Sequence, residues 1–311
     1  NPSDVPVLVA IAGEQGLDPE RFAERIASPE IESQLQTHVE ERARLLGELI
    51  ELAAEELGDA VGELGPADLA TLTASGIANV AVRRKLRVGI LSTGDELADA
   101  HEPTRNDQIF DANRPMLRAT VQAWGHKAID LGRAPDNRET LASILDQAAK
   151  TCDVILASGG ASAGDEDHMS ALLAGSGSFA LWRIAMKPGR PLALGMWQNT
   201  PVFGLPGNPV AAFVCALVFA RPALSVLAGQ GWVEPQGYPL PAGFAKSKKA
   251  GRREYIRARV ENGVVCAFAS EGSGRVSGLS WAQGLVAFSD DAETIAQGDT
   301  VNFIPYASFG L

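Results

Sequence analysis

Three bends hold most of the residues able to do chemistry. The first, SGGASAG at 158–164, follows the apolar run Val154, Ile155, Leu156 and leads into Asp165, Glu166 and Asp167. A buried strand, a loop with few side chains in the way and a helix start together let backbone N–H groups close on a phosphate. The acids just beyond can hold a divalent metal; a tight turn before a capped helix is the plainer alternative. The second bend, MKPGRP at 186–191, sets Lys187 and Arg190 on either side of a Pro-Gly turn stiffened by Pro188 and Pro191. It can present a point charge and a planar fork to an oxyanion, although a surface turn tolerates the same residues. In the third, GLPGNP at 204–209, Pro206 and Pro209 rigidify the loop, Gly204 and Gly207 permit close backbone approach, and Asn208 reads as the cap of the following helix.

Further polar groups come from STGDEL at 92–97, where Thr93 and Gly94 turn the chain and Asp95 and Glu96 add acids. Acids beside a phosphate repel it unless a cation intervenes, so convergence of Asp95, Glu96, Asp165 and Asp167 points to Mg²⁺. The simpler reading makes Asp95 a turn cap and Glu96 a solvated side chain. IFDANR at 109–114 contributes Asp111, Asn113 and Arg114, with Asn113 expected as a helix N-cap; Asp136 in APDN is expected as another cap.

The elements positioning these groups fall into three stretches. Residues 1–80 read as helical. Proline follows Asp18 and Ser28 at helix starts, apolar residues recur at Ile31, Leu35, Val39, Leu46, Ile50, Ala53 and Leu57, and a shorter helix carrying Leu69 and Leu72 runs from Gly65-Pro66 to Gly76. Residues 81–230 alternate strands (Val88–Leu91, Ala128–Leu131, Val154–Ala157, Leu192–Gly195) with helices near 113–124, 137–149, 166–174 and 209–227. That is an α/β pattern with a mainly parallel sheet and helices on both faces, whose ligands sit at the carboxyl ends of the strands. Residues 231–311 switch to short alternating runs, with Asn262-Gly263 as a hairpin turn, and read as a small β domain.

A chain of 311 residues that is 46% hydrophobic supports several cores. Its net charge of −11 lacks the footprint of a nucleic-acid binder, so any anionic ligand needs a local positive site. The three cysteines and four histidines show no metal-ligand spacing. No apolar run of ~18–20 residues and no signal-peptide pattern is present, so cytoplasm without membrane attachment is the expectation.

Taken in order, VGILSTGDEL, FDANRPML, the Asp136 turn, SGGASAGDED, AMKPGRP, GLPGNPV and the β tail resemble the molybdopterin molybdenumtransferase family, the MoeA proteins and the E domain of gephyrin, over about residues 80–311. The resemblance implies a molybdopterin-binding α/β domain and a β domain in a homodimer. It also implies insertion of molybdate into adenylylated molybdopterin with release of AMP, requiring Mg²⁺. It places Glu96, Asp167, Lys187 and Arg190 in catalysis, and Glu96, Asp165 and Asp167 as metal ligands. Cofactor-binding roles pass to Thr93, Gly94, Asp95, Asn113, Asp136, Ser158, Gly159, Gly160, Ser162, Gly164, Pro206, Gly207, Asn208 and Pro209. Implied partners are a molybdopterin adenylyltransferase and recipient molybdoenzymes. Residues 1–80 lack the family motifs resembling SxxDGYA and MPxGADAVV, which reach across the dimer; residues 16–36 are instead similar to the helical part of DsbA-type thiol oxidoreductases, without a CxxC. Arg190 stands where many relatives have lysine. A non-catalytic molybdopterin-binding or scaffold module and a molybdopterin adenylyltransferase remain the alternatives.

Overall fold

The computed structural model describes residues 64–80, 82–159, 168–175, 179–189, 191–270, 272 and 274–311, without the side chains of 179–183. The expected helices before residue 64 lie outside these. The short one after Gly65 is present as α1 (Pro66–Ala74), with Pro66 at its start and no buried residue; Leu69 remains 53% exposed.

The α/β unit is a six-stranded sheet of β1 (Arg87–Thr93), β4 (Lys127–Ala134), β5 (Val154–Ser158), β6 (Phe179–Arg183), β8 (Pro191–Trp197) and β9 (Thr200–Leu205), in the order β4-β1-β5-β9-β8-β6. The pairs β1–β4, β1–β5 and β5–β9 are parallel, as is the short separate pair of β2 (Leu97–Ala98) and β3 (Ile109–Phe110). Period-two alternation sends Val88, Ile90, Val154, Leu156, Phe203 and Leu205 to one face and Leu91, Ile155, Ala157 and Val202 to the other. The first face is covered by α2 (Asn113–Ala123) and by the continuous helical stretch Pro209–Leu227, made of α5 (Pro209–Cys215), a π-helical turn and α6 (Arg221–Leu227). The second is covered by α3 (Arg138–Thr151) and α4 (His168–Gly175). Strands apolar on both faces, as the sequence pattern requires of a doubly covered sheet, are what is found. The stretch Pro209–Leu227 is apolar and long enough to cross a membrane, but 83% of it is buried inside this core.

One strand assignment needs correction. The run Leu192–Gly195 lies in β8, which is antiparallel to β9 and to β6. The strand leading into GLPGNP is β9, missed because its hairpin turns on Gln198-Asn199, with φ of 45° and 64°, and lacks the glycine that usually announces such a turn.

The C-terminal unit is an antiparallel sheet in the order β10 (Tyr238–Pro241), β16 (Thr300–Pro305), β14 (Gly284–Phe288), β12 (Arg253–Glu261), β13 (Val264–Ala267), plus a two-stranded pair of β11 (Lys246–Lys248) and β15 (Glu293–Ile295). The Asn262-Gly263 turn joins β12 to β13, both residues at positive φ. This unit packs its own core around Val265, Val286, Phe288 and Phe303, yet Tyr255, Leu285, Ile304 and Phe309 enter the α/β core. The short β7 (Met186–Lys187), from the α/β stretch, pairs with β12 in parallel.

Candidate functional site

Loops at the carboxyl ends of β1, β5 and β9 meet at one rim. Gly159, at φ +91°, lies so close to the β1 loop that a Cβ there would stand 2.5 Å from the Thr93 carbonyl oxygen and 2.8 Å from Thr93 Oγ1. Only glycine permits that approach. The Gly159 N–H donates to the Leu205 carbonyl (3.2 Å), and a Cβ on Gly207 would fall 3.7 Å from Gly159 Cα. Below them the hydroxyls of Ser92 and Ser158, both buried, pair across β1 and β5 at 3.2 Å. Asn113 is not the helix cap expected of it: Asp111 Oδ1 accepts the N–H groups of Asn113 (3.0 Å) and Arg114 (3.1 Å), while Asn113 Nδ2 donates to the Gly207 carbonyl at 2.7 Å. The Asp111 side chain, two residues ahead of the first helical residue, is placed to reach those N–H groups, which frees Asn113 to tie the helix start to GLPGNP.

Asp136 also departs from expectation. Asn137 caps α3, its Oδ1 accepting from Thr140 N at 2.9 Å. Asp136 instead faces Asp95: the Asp136 N–H donates to Asp95 Oδ1 (3.1 Å) and the Asp95 N–H to Asp136 Oδ2 (3.4 Å). The Glu96 side chain folds over Gly94, where a Cβ would strike its carboxylate. Gln108 Nε2 donates to the Asp95 and Leu97 carbonyls (3.4 Å each), and Arg133 Nη1 also donates to Leu97. Asp95, Gln108 and Arg133, with Arg105 and Pro135, line an open cavity of about 470 Å³. Sequence reading missed Gln108 and Arg133, because nothing local marks a side chain that staples another loop.

Asn208 behaves as expected, capping α5 through Val210 N (3.2 Å) with Pro209 in the first turn. MKPGRP sits directly against this loop. A Cβ at Gly189 would stand 3.4 Å from both Pro206 Cγ and Ala211 Cβ and 2.7 Å from Cys215 Sγ. Lys187 is turned toward the β unit: its Nζ lies 3.5 Å from Glu254 Oε2, and Lys246 Nζ reaches the same oxygen at 3.0 Å. Together with Pro188, Val210, Arg257, Phe268 and others they line a cavity of about 250 Å³ between the two units. Glu254 and Arg257 are buried, and a single carboxylate faces three cations there, so the cavity favours an anion. Neither residue stood out in the sequence; the available signal was a pair of charges inside a run of strand formers, REYIRARV.

Gly160, Ser162, Gly164, Asp165, Asp167 and Arg190 lie outside the described residues. Among the described residues, the group of three metal-type donors within 4.8 Å of one another is Asp99, His101 and Glu102, which does not include Glu96.

Residues 89–226 match the family model described as a probable molybdopterin binding domain, and residues 239–306 match the MoeA C-terminal region, domain IV. The chain is 34% identical over 259 residues to the molybdopterin molybdenumtransferase of Haemophilus influenzae, covering 80% of this chain and 64% of that protein. It is 36% identical over 186 residues to the protein of that name from a Nostoc species, covering 58% and 43%. The chain therefore spans less than two thirds of these relatives' lengths. Its structure is similar to that of the molybdopterin biosynthesis MoeA protein of Pyrococcus horikosii, with a TM-score of 0.67, 28% identity and coverage of 78% of this chain and 60% of that one. A molybdenum cofactor biosynthesis protein of Pyrococcus furiosus gives a TM-score of 0.61, 27% identity and coverage of 78% and 76%. With both units matched in order by the two family models, the chain belongs to the MoeA family.

Proposed function

We propose that this chain is a molybdopterin molybdenumtransferase, inserting molybdate into adenylylated molybdopterin with release of AMP. The observation that carries the reading is adjacency. The glycine rim around Gly159 adjoins through Pro206 and Gly189 the cavity where Lys187, Lys246 and Arg257 favour an oxyanion. Two anionic substrates need two such sites side by side. The names of the relatives support the same chemistry.

In this reading Ser158, Gly159, Gly160, Ser162 and Gly164 form the phosphate loop, anchored where the Gly159 N–H donates to the Leu205 carbonyl, with Thr93 and Gly94 completing the wall. Asn113 and Asn208 hold the Gly207 loop in place, and Pro206 and Pro209 stiffen it. Lys187 and Arg190 bind molybdate. Breaking the phosphoanhydride spreads negative charge over phosphate oxygens, so fixed cations and N–H donors lower the barrier with little rearrangement.

Mg²⁺ belongs to the proposal, and the donors suit it. Asp95 and Asp136 each spend one carboxylate oxygen on the other's N–H, leaving one hard oxygen apiece, with Glu96 close by in the chain. Asp165 and Asp167 are further candidates to hold the ion. When bound, Mg²⁺ would neutralise phosphate charge beside these acids. We also read the protein as a cytoplasmic homodimer that exchanges substrate and product with an adenylyltransferase and recipient molybdoenzymes. The exposed apolar side chains Leu69, Ile77, Val80 and Val82, in a stretch where α1 buries nothing, support self-association. AMP release from adenylylated molybdopterin with molybdate and Mg²⁺ tests the function. Turnover is expected; tight binding without AMP release would make the chain a molybdopterin-holding module instead.

A further inference from the structure

Strand β4 is irregular where it approaches the rim. It pairs with β1 residue for residue up to Ile90 with Asp130 and resumes at Ser92 with Arg133, so β4 takes three steps where β1 takes two. The extra residue makes a β-bulge, a device rare between parallel strands that re-aims the side chains beyond it. It forms at Gly132, whose φ of +77° suits glycine and whose N–H donates to Asp130 Oδ1 at 3.0 Å. Asp130 is fixed in turn from α2, by Arg114 Nη1 (3.0 and 3.2 Å) and Arg118 Nη1 (2.6 Å).

The bulge decides where Arg133 points. Ile129 and Leu131 pack in the core on the α3 side, and regular alternation would send Arg133 after them. One added residue reverses the face of everything that follows. Arg133 therefore pairs with Ser92 on the side of Ile90 and α2, while Ala134 pairs with Thr93 and joins the α3 core. The loop 94–110 lies on that α2 side, tied to α2 by the ion pair of Asp99 with Arg114. Arg133 Nη1 donates to the Leu97 carbonyl of this loop, and Nη2 stands 3.9 Å from Glu102 Oε2. Residues 100–107 are all exposed, so packing does little to hold the loop. Its start is nonetheless closely set: the Gly94 N–H donates to the Ala134 carbonyl (3.3 Å), and Asp95 and Asp136 exchange their N–H bonds. We infer that Arg133 is a positioning residue for the rim acids: turned by the bulge onto the Leu97 carbonyl, it holds the loop 94–110 where Asp95 meets Asp136. The inference rests on the reading of Asp95 and Asp136 as donors to a divalent cation. Carboxylates from two separate elements share one ion only while the elements keep their spacing, and Mg²⁺ tolerates little departure from octahedral geometry.

The test uses the full chain and two variants. Arg133→Met keeps an unbranched side chain and removes the donors; Arg133→Lys keeps a donor that can reach one carbonyl. The Arg133 side chain is 31% exposed, so neither change opens a core. Three quantities are read: hydrogen exchange of the Asp95 and Asp136 amides without metal, Mn²⁺ binding followed by electron paramagnetic resonance, and the Mg²⁺ dependence of AMP release. The methionine variant is expected to lose at least tenfold in protection of both amides and to bind Mn²⁺ at least fivefold more weakly. Its half-saturating Mg²⁺ concentration should rise by a similar factor, with the rate at saturating Mg²⁺ within threefold of native, because the bound ion itself restores the spacing. The lysine variant should recover most of each loss. Unchanged protection in Arg133→Met overturns the inference, and so does lost protection with native Mn²⁺ affinity, or a loss in Arg133→Lys as large as in Arg133→Met. A native chain that binds no Mn²⁺ overturns the reading of the acid pair and the role of Arg133 with it, whereas native binding that neither variant weakens overturns Arg133 alone.

Discussion

The rim and the cavity, read as two anion sites, are built by opposite means. At the rim the α/β unit removes side chains: Gly159 and Gly207 let three loops approach backbone to backbone. In the cavity the β unit buries side chains: Glu254 sits between Lys187 and Lys246, and Arg257 is sunk into the sheet. The first arrangement tolerates no added atom at Gly159, because the wall there is backbone. The second tolerates changes of shape and fails on loss of charge. The two regions should therefore break under different substitutions.

The largest effect is expected at Gly159. Alanine there combines a positive φ, costing about 1–3 kcal/mol, with a Cβ 2.5 Å from a main-chain oxygen that cannot step aside. Binding of adenylylated molybdopterin should fall at least a hundredfold, with a lowered urea midpoint. Gly207→Ala, whose Cβ meets its nearest heavy atom at 3.7 Å, should cost less than threefold. Equal losses in the two titrations would mean that the rim is not set by close approach.

Next comes the separation of the two anion sites. Lys187→Ala and Glu96→Ala should each fold normally and each lose more than tenfold in AMP release, charge-stabilising groups of this kind being worth about 3 kcal/mol. The comparison predicts different signatures. The lysine variant raises the molybdate concentration needed for half-maximal rate, and the Glu96 variant leaves it unchanged while weakening the response to Mg²⁺. Normal turnover in both would remove their assigned roles.

These contrasts also explain what could be read before folding. The rim was legible because its signals are local: glycine and proline in short bends after apolar runs, each bend carrying its own turn chemistry. The parallel core was legible for the same reason, with apolar runs bounded by helical periods. The cavity was legible only through Lys187: Glu254 comes beside it by the long-range pairing of β7 with β12, and Lys246 and Arg257 reach the cavity from elsewhere in the β unit. Cap assignments failed at Asn113 and Asp136, where neighbouring Asp111 and Asn137 had the better reach. Two adjacent capping residues cannot be ranked without knowing which loop the loser will face.

A smaller effect belongs to Asn113, a side chain serving the backbone rim. Alanine there leaves the Gly207 carbonyl without its donor, and a broken buried hydrogen bond costs about 1–3 kcal/mol. Denaturant unfolding should report that loss, with phosphate-side affinity falling less than in Gly159→Ala. If binding falls as far as it does there, the rim depends on side chains as much as the cavity does, and the contrast between the regions collapses.

The smallest effect lies away from both sites and keeps their pH responses from being misread. His126, buried at the junction of α2 and β4, has no partner for Nε2. Burial, with Arg221 and Lys85 near, lowers its pKa from 6.5 to about 4. Above pH 6.5 the ring is neutral in folded and unfolded chains alike and adds no pH dependence. As pH falls toward 4, the unfolded chain takes up the proton first, so folding stability declines through that window and levels off below it. The loss is on the order of 1–2 kcal/mol once solvent screening of the neighbouring charges is counted. His126→Phe removes both the titration and the unpaired nitrogen, so unfolding midpoints measured from pH 7 to 4 should flatten. Ligand affinities at pH 7 should be untouched. A slope that persists in the variant would take the acid sensitivity away from His126 and from this part of the core.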